Sequence, residues 1–142
     1  MGSETARLFN STLGTAAIAA IYELGLFDEL QQNETVRVKA FCEQRGLHHS
    51  LMVALLRVLH GFEIIELSPE EDIVRTGPLF SDAYRDKGYF LWLIRGYGYL
   101  LQNLSTLAQN GNRTGDFIRR NGKSIAMASR DYGSQFVDPY FT

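Results

Sequence analysis

A single cysteine, Cys42, among 142 residues rules out an internal disulfide and fits a reducing, cytoplasmic compartment. Basic residues are also short. Fourteen Lys and Arg against sixteen Asp and Glu leave a formal net charge of −2, where a nucleic-acid-binding domain usually carries a basic excess. The opening MGSETARLF has no basic region followed by an apolar run, so no signal peptide is expected. The most apolar stretch, Tyr89 to Ile94, is closed at once by Arg95. A spanning helix needs about 20 mostly apolar residues, so this run predicts a buried helix and no membrane segment.

Motifs of familiar chemistry are missing too. Cys42, His48, His49 and His60 match no zinc-ligand spacing, and no metal site is expected from them. No G-x-S-x-G elbow appears. Gly96-Tyr97-Gly98 sits inside a helical pattern rather than between a strand and a helix, so it reads as close packing or a kink instead of a nucleotide loop.

What remains is an ordinary globular composition, 45% hydrophobic and 21% charged. A chain of this size buries roughly 70% of its unfolded surface, so one domain needs no staple. Leu13, Ala17, Ala20, Leu24 and Phe27 recur at spacings of four and three, one stripe of a first helix. Ala16, Ala17, Ala19 and Ala20 keep its surface thin. The stripe suits either internal core or the face of a homodimer. Gly25 is placed for a left-handed stop.

Next, Thr35 is expected to cap a short helix ended by Gly46, and Ser50 a second helix ended by Gly61. FEIIEL and IVR flank the polar turn SPEED and predict a hairpin. Helix, turn, helix, hairpin is the winged-helix order. Thr76-Gly77-Pro78 predicts the start of a further helix, with Thr76 as cap and Pro78 in its first turn. GYFLWLIRGYGYLLQNLSTLAQ predicts one long helix, and the residues beyond Asn110 a loop and two shorter helical pieces. The fold class is therefore mainly α with a small β-hairpin: an N-terminal helix over 1–33, a winged-helix-like subdomain over 34–83 and a helical segment over 84–142.

A winged helix raises the question of DNA. The second helix carries Leu51, Met52, Val53, Leu55, Leu56, Val58 and Leu59, with only Arg57 and His60 able to reach a groove. Exposing such side chains forfeits roughly 1.5–3 kcal/mol each, so this helix is expected to be covered on both faces. The wing bears Glu70, Glu71 and Asp72, which repel phosphate. No nucleic-acid partner is expected.

The order of AIAAIYELGLFDEL, LMVALLRVLHGFEIIEL and RTGPLFSDA, over about residues 13–83, resembles the N-terminal helical and winged-helix region of class I S-adenosylmethionine-dependent methyltransferases of the O-methyltransferase type. In that family the region dimerises or covers the catalytic core. WLIRGYGYLL and IAMASRDYGSQFVDPYF are similar to the lid of methyltransferases in polyketide synthase loading modules, beside an acetyltransferase-like domain, of the apratoxin, curacin and saxitoxin type. The resemblance implies S-adenosylmethionine as donor, held mainly by a Rossmann-like core following Thr142, an acyl carrier protein presenting the substrate and, in some members, a metal in that core. The acidic, glycine-rich donor turn of such a core is not among these residues. The expected role is thus a lid or adaptor. Arg130, Asp131, Tyr132 and Gln135 are the candidate donor-facing residues, and Tyr97 and Tyr99 the candidate acyl-channel residues. The alternatives are a winged-helix transcription regulator with a helical dimerisation tail, and an inert docking adaptor.

Overall fold

The computed structural model describes residues 2–112, 125–126 and 129–130. Its contacts divide the chain into two compact units, Met1–Arg85 and Asp86–Thr142. The described residues are mainly helical, with one small antiparallel sheet.

In the first unit, helix α1 runs Ser3–Glu23 and α2 runs Leu26–Gln32. Gly14, Ala17, Ile18, Ala19 and Ile21 are the buried residues of α1. Its hydroxyl residues fit a helix interior because they donate to carbonyls one turn back, as Ser11 Oγ does to Arg7 O at 2.7 Å and Thr15 Oγ1 to Ser11 O at 2.8 Å. Gly25 takes φ +92°, the left-handed stop expected of it. The chain reverses there, and Leu26 and Phe27 fold back into the core. Leu13 from the expected inward stripe instead faces solvent, 47% exposed. The inward side is rotated toward Gly14, where the Phe62 ring packs so closely that a Cβ would lie 2.8 Å from its Cε2.

Strand β1 is Val36–Arg37, followed by α3 at Val38–Arg45 and α4 at His49–Gly61. Thr35 therefore does not cap α3. Val36 pairs with Val74 across the sheet and the Val38 N–H donates to Asp72 O at 2.8 Å, so strand pairing displaces the helix start. Gly46 closes α3 at φ +65° as expected. Ser50 is not the cap of α4 either: His48 is, its Nδ1 accepting from the Leu51 N–H at 3.2 Å. Gly61 is the last helical residue, and the left-handed position falls to Glu63 at φ 61°.

The hairpin is present, β2 at Ile65–Leu67 and β3 at Ile73–Thr76, with Glu66 opposite Arg75. The edge strand β1 extends it to three antiparallel strands in the order β1-β3-β2. Thr76 ends β3, and α5 begins later, at Phe80, so the expected cap does not form. Gly77 is instead pressed onto the α4–β2 connection, its N–H donating to Ile64 O at 2.9 Å. Phe80 meets Phe27 edge to face at 5.5 Å and stacks on Tyr84, whose hydroxyl donates to Asp28 at 2.9 Å. The start of α5 is thereby fixed to α2.

Helix α5 spans Phe80–Leu91. Beyond it the single long helix does not form. A π-helical turn, Trp92–Gly96, leads to short α6 at Gly98–Gln102, α7 at Leu104–Leu107 and a 3₁₀ turn at Asn110–Asn112. Tyr97 and Asn103 interrupt the helical backbone at φ −120° and −117°. Asn103 Nδ2 donates to Tyr99 O at 2.7 Å, side-chain bonding that competes with helix continuation. Gly96 is buried, and a Cβ there would sit 2.7 Å from Ile125 Cγ1, so close packing is the role this glycine serves.

Gly77→Ala should destabilise the first unit by about 1–3 kcal/mol, because the new Cβ would lie 2.6 Å from Glu63 O and 2.9 Å from Ile64 C, backbone that cannot swing aside. Gly46→Ala, in open space but at positive φ, should cost about 1 kcal/mol. Urea unfolding of the two variants measures both, and a Gly77→Ala chain as stable as the native one would contradict this packing.

Candidate functional site

The wing and α4 carry the densest polar chemistry in the first unit. Arg57 lies on the outer side of α4. Its Nε and Nη2 donate to both carboxylate oxygens of Glu71, at 2.5 and 2.7 Å. Glu71 is presented by a wing turn that gives it a left-handed backbone, φ 60°. Asp72 accepts from Arg37 and from the Lys39 backbone N–H, both at 3.2 Å. The wing is thus clamped to α4 on one side and to the β1–α3 junction on the other.

A cleft of about 580 Å³ opens there, lined by Lys39, His49, Ser50 and Arg57 on one side and Glu70, Glu71 and Asp72 on the other. Lys39 and Arg57 are offset by three carboxylates, so the cleft presents no cationic surface to a phosphate backbone. Helix α4 buries Met52, Val53, Leu56 and Leu59. Its outer side is not covered as expected: Leu51 is 60% exposed and Ala54 also faces solvent. The exposed side of α4 thus mixes Leu51 and Ala54 with Arg57 and His60, and Arg57 is paired with the wing.

Cys42 is buried among core residues. Desolvation, with the charge of Glu43 adding to it, holds its thiol above the ordinary value, so it is a poor nucleophile. No three His, Cys, Asp or Glu side chains gather into a metal-holding group among the described residues. Nor is any described helix long and apolar enough to cross a membrane.

In the second unit Tyr97 is half-buried and Tyr99 is 42% exposed. Tyr97 follows the π-helical turn and packs its ring against Trp92, centroids 4.7 Å apart at 58°. Trp92 itself is 41% exposed, with Tyr89 at 50% and Leu93 at 36% beside it in sequence. Trp92 was missed as a partner of Tyr97 because helical spacing puts residues five apart on different faces. The extra residue of a π-turn is what brings them together. Of the donor-facing candidates, Arg130 lies on an exposed helical residue. Asp131, Tyr132 and Gln135 lie outside the described residues.

No protein-family model matches this chain. It is, however, related in sequence to part of a methyltransferase. It is 35% identical over 136 residues to the methyltransferase ungE' of Aspergillus campestris, a match covering 96% of this chain and 39% of the relative. The chain thus spans about two fifths of the length of that curated relative. Two solved structures share its fold. The riboflavin-derivative dimethyltransferase RosA of Streptomyces davawensis matches at TM-score 0.57 and 17% identity, over 99% of this chain and 48% of its own. OxaC, solved with SAH and oxaline, matches at TM-score 0.67 and 20% identity, over 97% of this chain and 41% of its own.

Two outcomes follow from the clamped wing. Arg57 holds the Glu71 carboxyl below its ordinary value, chiefly through their hydrogen bonds. A lowered carboxyl stabilises the fold above its unfolded pKa and loses that contribution as pH falls through the folded value. The Tm deficit of Glu71→Gln should therefore be largest near neutral pH and shrink on acidification; a deficit that grows toward acid pH contradicts the clamp. In a mobility-shift assay at low salt, the chain should leave random duplex DNA unshifted, where salt-dependent binding would favour a regulator.

Proposed function

We propose that this chain is an accessory lid or adaptor portion of an S-adenosylmethionine-dependent methyltransferase. Its role is to cover the donor site, exclude water and shape the entrance for the acceptor. The observation that carries the reading is the match over nearly the whole chain to about two fifths of a methyltransferase. The fold shared with RosA and OxaC supports it, over less than half of each of those chains. In this reading the donor is held by a Rossmann-like core outside these residues, together with any metal the enzyme uses. Arg130, Asp131, Tyr132 and Gln135 face the donor. Tyr97 and Tyr99, with Trp92 packed on Tyr97, border the acceptor channel.

Two acceptors follow from different observations. The likeness of WLIRGYGYLL to polyketide synthase lids supports an acyl chain delivered by an acyl carrier protein, in the cytoplasm. The fold neighbours support a free small molecule instead, since RosA acts on a riboflavin derivative and OxaC was solved with oxaline. The exposed aromatic surface at Tyr89, Trp92 and Tyr99 suits either.

Calorimetric titration of this chain with S-adenosylmethionine should give no binding heat. The same chain joined to the catalytic part of a methyltransferase it matches should bind the donor. Tight binding by the 142 residues alone would place the donor site within them and overturn the lid reading. In the joined protein, replacing Trp92 with Ala should raise KM for the acceptor about tenfold, the loss of one aromatic contact worth roughly 1.4 kcal/mol, with little change in donor affinity. An unchanged acceptor KM would remove Trp92 from the channel.

A further inference from the structure

Strand β2 lies at one edge of the sheet, with β3 on its inner side. The Ser68 N–H donates to Ile73 O and the Gly77 N–H to Ile64 O, both at 2.9 Å, so Ser68 and Ile64 turn their main-chain groups toward β3. Antiparallel pairing alternates along a strand. The main-chain groups of Ile65 and Leu67 therefore turn the other way, to the outer edge. An open edge of this kind is a template for another strand.

This edge is not bare. His60, on the last turn of α4, sets its Nδ1 3.3 Å from Ile65 O and 3.3 Å from the Leu67 nitrogen. A parallel strand would bond that same pair, the carbonyl of one residue and the N–H two residues on. The imidazole thus stands where the backbone of an added strand would stand. Without a proton on Nδ1 it accepts from the Leu67 N–H; with one it donates to Ile65 O. The position is filled in either state. Arg57, one turn earlier on α4, holds the wing through Glu71. One helix face therefore grips the hairpin both at its turn and along its edge.

We propose that His60 is an edge guard, which keeps β2 from pairing with the β2 of a second copy of this chain. The alternation selects that occupant and its register. In an antiparallel two-fold pairing centred on Glu66, Ile65 faces the partner's Leu67 and Leu67 the partner's Ile65, so every outward residue joins the new ladder. The centre then sets Glu66 against the partner's Glu66, a like-charge pair that opposes the same contact. Imidazole and carboxylate are two deterrents to one event. Neither is required by the methyl-transfer reading, which can fail without touching this one.

Amide hydrogen exchange and sedimentation equilibrium of the 142-residue chain test it. His60→Ala keeps helix propensity at an exposed position. In dilute solution its Leu67 amide should exchange about tenfold faster than in the native chain, the protection of one ordinary hydrogen bond. Glu66, which pairs with Arg75, should keep its rate. Concentrated toward about 1 mM, the variant should associate beyond the native chain, with the Ile65 and Leu67 amides both becoming protected as it does. Adding Glu66→Thr should tighten that association about fivefold. Adding Leu67→Pro instead removes the outward N–H, a change an edge strand tolerates, and should return association to the native level. A Leu67 exchange rate indifferent to His60→Ala, a His60→Ala and Glu66→Thr chain that associates no more than the native one up to about 1 mM, or added association that survives Leu67→Pro would each overturn the proposal.

Discussion

The buried side of α4 is the contact on which the first unit depends. Leu56 and Leu59 are fully buried there, beside Met52 and Val53. Each large side chain removed from water contributes roughly 1.5–3 kcal/mol. Helix α1, helix α3 and strand β2 all pack on this helix. With α4 fixed, Phe62 at its end fills the notch at Gly14, and the following turn sets the hairpin. The sheet thus inherits its position from a helix that, in a DNA-reading winged helix, would be spent on the groove.

That inheritance bears on function. The same fold can present α4 outward or hold it as scaffold. Here the wing is drawn onto α4 by the Arg57–Glu71 clamp, and the cation best placed to meet a phosphate is committed to a carboxylate. An exposed ion pair of this kind adds little stability, but it consumes the one arginine of that helix. The proposed lid reading asks only that the winged helix serve as a scaffold, which suits its relation to part of a methyltransferase.

Local rules were enough to read some elements and not others. Gly25 and Gly46 were legible as left-handed stops because only glycine enters that region without a steric penalty. The hairpin was legible because β-branched runs bracket a polar turn. The helix starts were not. Thr35 is a good cap by composition, yet Val36 gains more by pairing with Val74, a partner 38 positions away. His48 caps through a ring nitrogen that ordinary cap preferences do not anticipate. In the second unit, apolar periodicity implied one helix, whereas the chain forms a π-turn that ends at Gly96, packed against the distant Ile125. Of the candidate site residues, Tyr97 and Tyr99 were named from the sequence, but the ring that packs on Tyr97 belongs to Trp92.

Two of these differences share a cause. Propensity and periodicity describe what a segment does alone, and the departures at Thr35 and Gly96 occur where a distant residue packs or pairs with it. The Trp92–Tyr97 pair illustrates the consequence for function. A π-turn costs helix regularity and persists when the surrounding packing holds it. Here the packing is a glycine with no room for a side chain, and the result is an aromatic surface turned partly to solvent. A sequence that preferred stability alone would keep the straight helix and place alanine at residue 96. Retaining the interruption makes sense if the surface it creates has something to hold. In the proposed reading, an acceptor bordering Trp92 and Tyr97 would supply that reason.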